Sequence, residues 1–145
     1  MRIGTFVNRD VVWAEADEPL VVLARRMRDR GVGSLPVRDR GRLAGIVTER
    51  DVVAAVADGL PLDATPARSC MTPEPALARA DEECADVAGR MLWLGLRHVL
   101  VVHRGRVIGV ASARDLLMLE AWPNVPPPSP AEAGGRAATP DPSPP

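Results

Sequence analysis

The sequence predicts an α+β protein: two tandem β-α-β-β-α units followed by a disordered, proline-rich C-terminal tail. Three observations carry this prediction. A shift of 64 residues lays residues 12–51 on residues 76–115 without a gap, and 15 of the 40 positions are identical. Within each copy, the apolar spacing changes from helical to strand-like at matching points. Residues 123–145 hold nine of the 15 prolines and one valine as their single large apolar residue, too little to bury a core. A 64-residue period exceeds that of the usual solenoid repeats. It suits two copies of a small unit, each too short to be comfortable alone.

Each copy reads the same way from its first strand onward. Short apolar segments, residues 11–14 and 76–78, precede Asp17 and Asp81, which are suitable N-caps for a helix. Leu20, Leu23, Ala24 and Met27 then recur at helical spacing, as do Cys84, Val87, Ala88 and Met91. Gly31 and Gly95 fit the position just past a helix end. Two hairpins follow: residues 34–37 with 43–47, and 98–102 with 107–111, turned by Arg40-Gly41 and Arg104-Gly105. A last helix starts at Thr48 or Ser112 and runs to Gly59 in the first copy and to Trp122, before Pro123, in the second. The expected organisation is a first unit over 1–59, a linker and lead-in over 60–75, a second unit over 76–122 and a tail over 123–145.

Charge and composition exclude several functions. The chain carries 18 basic and 19 acidic residues, and every basic residue is arginine. Setting aside Arg136, Glu132 and Asp141 of the tail leaves a neutral body, unlike a protein that grips nucleic acid through a basic surface. Without lysine, neither Schiff-base chemistry nor a phosphate-loop lysine is available. Cys70 and Cys84 form no CxxC pair, and His98 and His103 add too few ligands for zinc, so no metal site is expected and free thiols in a reducing cytoplasm are. No signal peptide is visible, and the apolar runs are far short of the ~20 residues a membrane helix needs. No catalytic constellation recurs at a workable spacing, so the sequence is not read as an enzyme.

At the last strand-to-helix turn the copies read G-I-V-T-E-R-D (residues 45–51) and G-V-A-S-A-R-D (residues 109–115). Met71-Thr72-Pro73 precedes the second copy, and Leu35-Pro36-Val37 precedes the first hairpin. This order, spacing and duplication resemble a tandem pair of CBS domains, the Bateman module, over residues 1–122. The resemblance implies a pseudo-two-fold disc with clefts between the units. Those clefts would take an adenosine-containing ligand: AMP, ADP, ATP, S-adenosylmethionine or NAD. Asp51 and Asp115 would then hold the ribose hydroxyls, and Thr48 and Ser112 would reach ribose or phosphate. Ser34, Leu35 and Pro36, with His98 and Val99, would border the adenine. It further implies that no cofactor is required, that discs pair as a homodimer, and that the regulated protein partner is a separate chain. The second copy departs from the family pattern at Leu100, where the first has Pro36.

Elementary chemistry supports the same residues. A helix N-terminus offers unpaired N–H groups and partial positive charge, and Arg50 and Arg114 sit in that first turn. Yet Thr48-x-x-Asp51 and Ser112-x-x-Asp115 also fit a capping box, which needs no ligand. His98 either bonds a ligand or ends a strand edge. Trp13, Trp93 and Trp122 read as core or interface residues, His103 as a solvated turn residue, and Arg25, Arg26, Arg28 and Arg30 as a solvated helix face. Two functions remain: a regulatory sensor of an adenosine ligand, or a ligand-free module for dimerisation or protein interaction.

Overall fold

The structure, a computed structural model, describes residues 1–7 and 10–121; the expected tail and Trp122 lie outside the described residues. The first unit contains β1 (Ala14–Glu15), α2 (Leu20–Arg30), β2 (Ser34–Asp39), β3 (Arg42–Thr48) and α3 (Glu49–Ala57), preceded by the short α1 (Ile3–Phe6). A linker with a 3-10 turn (Ala67–Ser69) and β4 (Thr72–Pro73) leads to β5 (Leu77–Arg79), α4 (Cys84–Leu94), β6 (His98–His103), β7 (Arg106–Ser112) and α5 (Ala113–Ala121). The fold is α+β, with two sheets ordered β1-β2-β3-β4 and β5-β6-β7.

The 64-residue shift survives in three dimensions. From α2 to α3, every element of the first unit recurs in the second with the same bounds. The hairpins share their register, Ser34 opposite Thr48 and His98 opposite Ser112, and each has an irregularity at the equivalent place, Val37/Arg38 and Val101/Val102. Both turns place two successive residues at positive φ: Arg40 at 50° and Gly41 at 75°, Arg104 at 48° and Gly105 at 75°. Such turns match the twist of the flanking strands, and glycine at the second position removes the Cβ clash that positive φ imposes on other residues. Gly31 and Gly95 end their helices in the left-handed region, as their place in the sequence anticipates.

Asp17 and Asp81 do not cap their helices, contrary to the sequence expectation. The helices start at Leu20 and Cys84, three residues beyond them. Asp17 pairs instead with Arg68 and Asp81 with Arg79. Backbone from elsewhere in the chain meets the open helix ends. The N–H groups of Leu20 and Val21 donate to the carbonyls of Thr65 (2.9 Å) and Leu62 (3.0 Å), and that of Cys84 to the carbonyl of Met1 (2.9 Å). The orphan donors of a first turn need an acceptor, and a carbonyl delivered by the fold serves as well as a side chain.

These contacts arise because the lead-in segments are exchanged. Ile3 and Val7 are buried among Val87, Met91, Val99, Val101 and Leu116 of the second unit. Linker residues Ala67, Leu62 and Met71 pack on Leu20, Leu23, Leu35 and Val47 of the first. Gly4 lies so close to the second unit that a Cβ there would meet the Ala80 Cβ at 2.7 Å. On the other side, β4 pairs with β3 through Gly45–Pro73 and Ile46–Thr72. Each unit thus completes its core with chain that precedes the other, which ties the two together.

Trp93, expected in a core or interface, is 89% exposed at the end of α4. Trp13 is half-buried, with the Arg38 guanidinium 5.1 Å from its ring centre. Among the described residues no helix is long and apolar enough to cross a membrane.

Candidate functional site

The candidate site grows from the two turns that lead from a hairpin into a helix. In each, the first helical N–H donates back to the residue before the hairpin: Glu49 to the Gly33 carbonyl (3.0 Å) and Ala113 to the Arg97 carbonyl (2.8 Å). This bond brings residues 33–34 beside the start of α3 and residues 97–98 beside the start of α5.

The two turns then diverge. At the start of α3, the Asp51 carboxylate accepts the Thr48 backbone N–H at 2.8 Å and the Thr48 hydroxyl at 3.1 Å, as part of a capping box. Both bonds fall on the same carboxylate oxygen, Oδ2, and Asp51 is half-buried. At the start of α5, the Ser112 hydroxyl oxygen accepts the Asp115 N–H at 3.1 Å. The Asp115 carboxylate has no hydrogen bond or ion pair among the described residues and is exposed.

An open cleft of about 1210 Å³ lies between the units. Of the residues singled out in the sequence, it brings together Ser34, His98, Ser112, Arg114 and Asp115. It does not include Thr48, Arg50, Asp51, Leu35, Pro36 or Val99. Leu35 and Val99 are fully buried in the two cores, and Pro36 is buried in β2. The cleft also recruits Arg28 from α2, read from the sequence as part of a solvated helix face, and Gly33 before β2, Glu49 from α3 and Arg97 before β6, which are not among the expected site residues. Reading each copy by itself hides Arg28, Gly33 and Glu49, because the α5 turn of the second unit shares the cleft with α2, residues 33–34 and the start of α3 of the first.

His98 sits where the units meet. Its Nε2 is 3.6 Å from the position a Gly33 Cβ would take, and its Nδ1 is buried without a hydrogen-bond partner among the described residues. Burial holds the imidazole below its ordinary pKa; the negative charges of Asp115 and Glu49 oppose this and Arg97 reinforces it. A neutral ring with a vacant nitrogen can donate to or accept from a bound molecule. Near the other turn, burial raises the Cys70 thiol pKa, with further contributions from Asp51 and Asp58. Cys70 is therefore a poor thiolate. Among the described residues, no three His, Cys, Asp or Glu side chains gather where a metal ion could bind.

The cleft thus combines a helix N-terminus, a carboxylate without a partner, arginines and an imidazole. Such a set can hold phosphate and a diol.

A family model described as the CBS domain matches residues 3–58 and 67–121. An uncharacterized protein of Methanopyrus kandleri is 31% identical over 83% of this chain and 63% of its own length, so the chain spans less than two-thirds of that relative. A 17.7 kDa uncharacterized protein of Acidianus ambivalens is 37% identical over 79% of this chain and 70% of its own. Among solved structures, a CBS domain protein of Pyrobaculum aerophilum complexed with AMP superposes with a TM-score of 0.74 at 28% identity, covering 83% of this chain and 99% of that one.

Proposed function

The chain belongs to the CBS-domain family, and on that premise we propose that it is a sensor: an adenosine-containing ligand binds between its units and alters a separate protein partner. The carrying observation is the cleft in which Ser112, Asp115 and His98 meet. Asp115 accepts from the ribose hydroxyls, much as an acidic residue does in dinucleotide folds. The Ser112 hydroxyl and the first turn of α5 face phosphate, with Arg114 beside them. Ser34 and His98 border the base. The solved relative that holds AMP supports an adenine nucleotide as the ligand class. In this reading the protein performs no catalysis, requires no cofactor, works in the cytoplasm and pairs as a homodimer.

A thermal-shift screen with AMP, ADP, ATP, S-adenosylmethionine and NAD tests the reading. At 100 times its Kd, a one-site ligand stabilises the folded state by about 2.7 kcal/mol. For a domain of this size that raises Tm by roughly 10 °C. No shift with any of the five overturns it.

A second reading, a ligand-free interaction module, is favoured by the exposed apolar end of α4, Leu92, Trp93 and Leu94. It predicts a dimer by light scattering that ignores all five compounds and dissociates on Trp93→Glu.

A further inference from the structure

We propose that the chain carries a separate site for a small organic phosphate, in an open groove of about 500 Å³ between residues 2–5 and the turn end of the β6–β7 hairpin. Arg2, His103 and Arg106 supply its donors. The groove shares no lining residue with the cleft between the units, so the proposal stands apart from that cleft's ligand. His103 faces Arg106 across the hairpin, five positions from the His98–Ser112 pair, or roughly 16 Å along the strand.

The groove exists because the repeat breaks here. The 64-residue equivalence extends into the exchanged lead-in segments, where the backbone bonds match. Ala67 N–H donates to the Glu18 carbonyl and Ile3 N–H to the Glu82 carbonyl, both at 2.9 Å. Arg68 N–H donates to the Ala16 carbonyl at 2.9 Å, and Gly4 N–H to the Ala80 carbonyl at 3.0 Å. Gly4 therefore holds the place of Arg68. The Arg68 guanidinium bonds Asp17 and reaches Asp39 at 3.6 Å, so in the first unit this place is occupied by the chain itself. Gly4 cannot do the same, because it lies so close to Ala80 that a Cβ does not fit. The counterpart of Asp39 is His103. The second unit has thus lost one guanidinium and one carboxylate and keeps an open groove.

The remaining charge selects an anion. Asp81, the counterpart of Asp17, is held by Arg79 at 2.7 and 3.0 Å, and Glu83 by the terminal amine at 2.9 Å. Arg2 attracts both carboxylates from further away. The guanidinium groups of Arg2 and Arg106 make no hydrogen bond or ion pair among the described residues. Two uncommitted forks from different segments, with the His103 ring and the Thr5 hydroxyl beside them, suit a phosphomonoester, which has three acceptor oxygens and a charge of about −2. A planar carboxylate is satisfied by one fork. Ala80, Val107 and Ile108 add an apolar wall, and the volume is that of a small-molecule site rather than of a bare ion, so the phosphate carries an organic group.

An NMR titration of backbone amides in the full chain tests this, with inorganic phosphate, phenyl phosphate and benzoate as probes. Ionic strength is held at about 0.15 M to screen diffuse surface attraction. Both phosphates should give saturable shifts at residues 2–5 and 103–108. Phenyl phosphate should bind at least tenfold more tightly than inorganic phosphate or benzoate. Arg106→Gln should weaken phenyl phosphate at least fivefold, and His103→Asp, which restores the first unit's residue type, should abolish its binding. Arg104→Gln removes the same charge from the neighbouring turn residue, outside the groove, and should change affinity less than twofold. All three positions are exposed, so the variants are expected to fold, which unchanged amide spectra elsewhere confirm. Benzoate binding as tightly as phenyl phosphate, equal weakening by Arg104→Gln, or no saturable shift in the groove overturns the proposal. Shifts confined to residues 112–115 also overturn it, while supporting phosphate binding in the cleft between the units.

Discussion

Arg26 grips Glu18 through two hydrogen bonds, 2.8 Å from Nη1 and 2.6 Å from Nη2, and the pair recurs 64 residues later as Arg90 and Glu82 at 2.6 and 3.5 Å. Each clamp joins a helix to the segment before it: Arg26 also donates to the carbonyl of Trp13, just ahead of β1, and Arg90 to that of Leu77 in β5. Each glutamate accepts a backbone N–H as well, Glu18 from Glu15 and Glu82 from Arg79. The clamps hold the entry to α2 and α4 at the places where the expected aspartate caps are absent.

The clamps make stability acid-sensitive. The arginine hydrogen bonds hold the Glu18 and Glu82 carboxyls below the ordinary glutamate range, against the opposing effect of burial. A carboxyl with a depressed folded-state pKa contributes its full stability above the unfolded value, and that contribution is lost as pH falls through the folded value. Denaturation midpoints should therefore fall between about pH 5 and pH 3. Glu18→Gln should flatten that slope at a cost of ~1 kcal/mol at neutral pH, and Glu82→Gln should do so less, because Arg90 is more exposed than Arg26. Urea titrations across the pH series measure both.

The two motif aspartates should behave differently in the empty protein. Asp51→Ala removes an acceptor from the helix cap and should cost about 1 kcal/mol. Asp115→Ala should change stability by less than about 0.5 kcal/mol, since its carboxylate accepts no hydrogen bond among the described residues. Chemical denaturation without nucleotide checks this; equal costs would mean that both are caps.

Exchange of the lead-in segments makes the N-terminus a structural part of the second unit. Gly4→Ala would drive a methyl against the Ala80 Cβ at 2.7 Å and its carbonyl oxygen at 2.8 Å. It should cost about 1–3 kcal/mol, an overpacking penalty that an exposed leader would not incur. An unchanged urea midpoint would show that residues 3–7 do not dock there.

His98 should titrate below the usual histidine range, since burial outweighs the pull of Asp115 and Glu49. Its folded pKa lies below the unfolded value near 6.5, so the unfolded state takes up the proton first as pH falls. That stability is complete above about pH 6.5 and declines below it. The ring proton shifts of His98, followed by NMR, should have a midpoint below 6.5, and His98→Asn should remove the associated loss of stability. A midpoint at or above 6.5 contradicts the buried, neutral ring.

The repeat, the hairpin turns and the helix stops were legible because each is a local property: an alternation, an Arg-Gly pair, a glycine after an apolar stripe. Asp17 misled because N-capping pattern is also local, while the acceptors used by Leu20 and Val21 come from Thr65 and Leu62. Neither α1 nor β4 has a periodicity of its own; each exists because a sheet or core of the other unit receives it. The site was half legible for the same reason. Ser112 and Asp115 stand in a motif of the second unit and His98 at the start of its hairpin, but Arg28, Gly33 and Glu49 belong to the first unit and join them only where the two units face one another. Leu35 and Val99 sit in the expected strands with their side chains in the cores.

A sensor of an adenosine ligand needs Asp115 as its ribose acceptor. A crystal structure of the chain grown with ATP reads that contact directly. The expected result is nucleotide density between the units, with both ribose hydroxyls within hydrogen-bonding distance of the Asp115 carboxylate and phosphate at the first turn of α5. Density for the nucleotide on the Thr48–Asp51 side, or a ribose held away from Asp115, contradicts it.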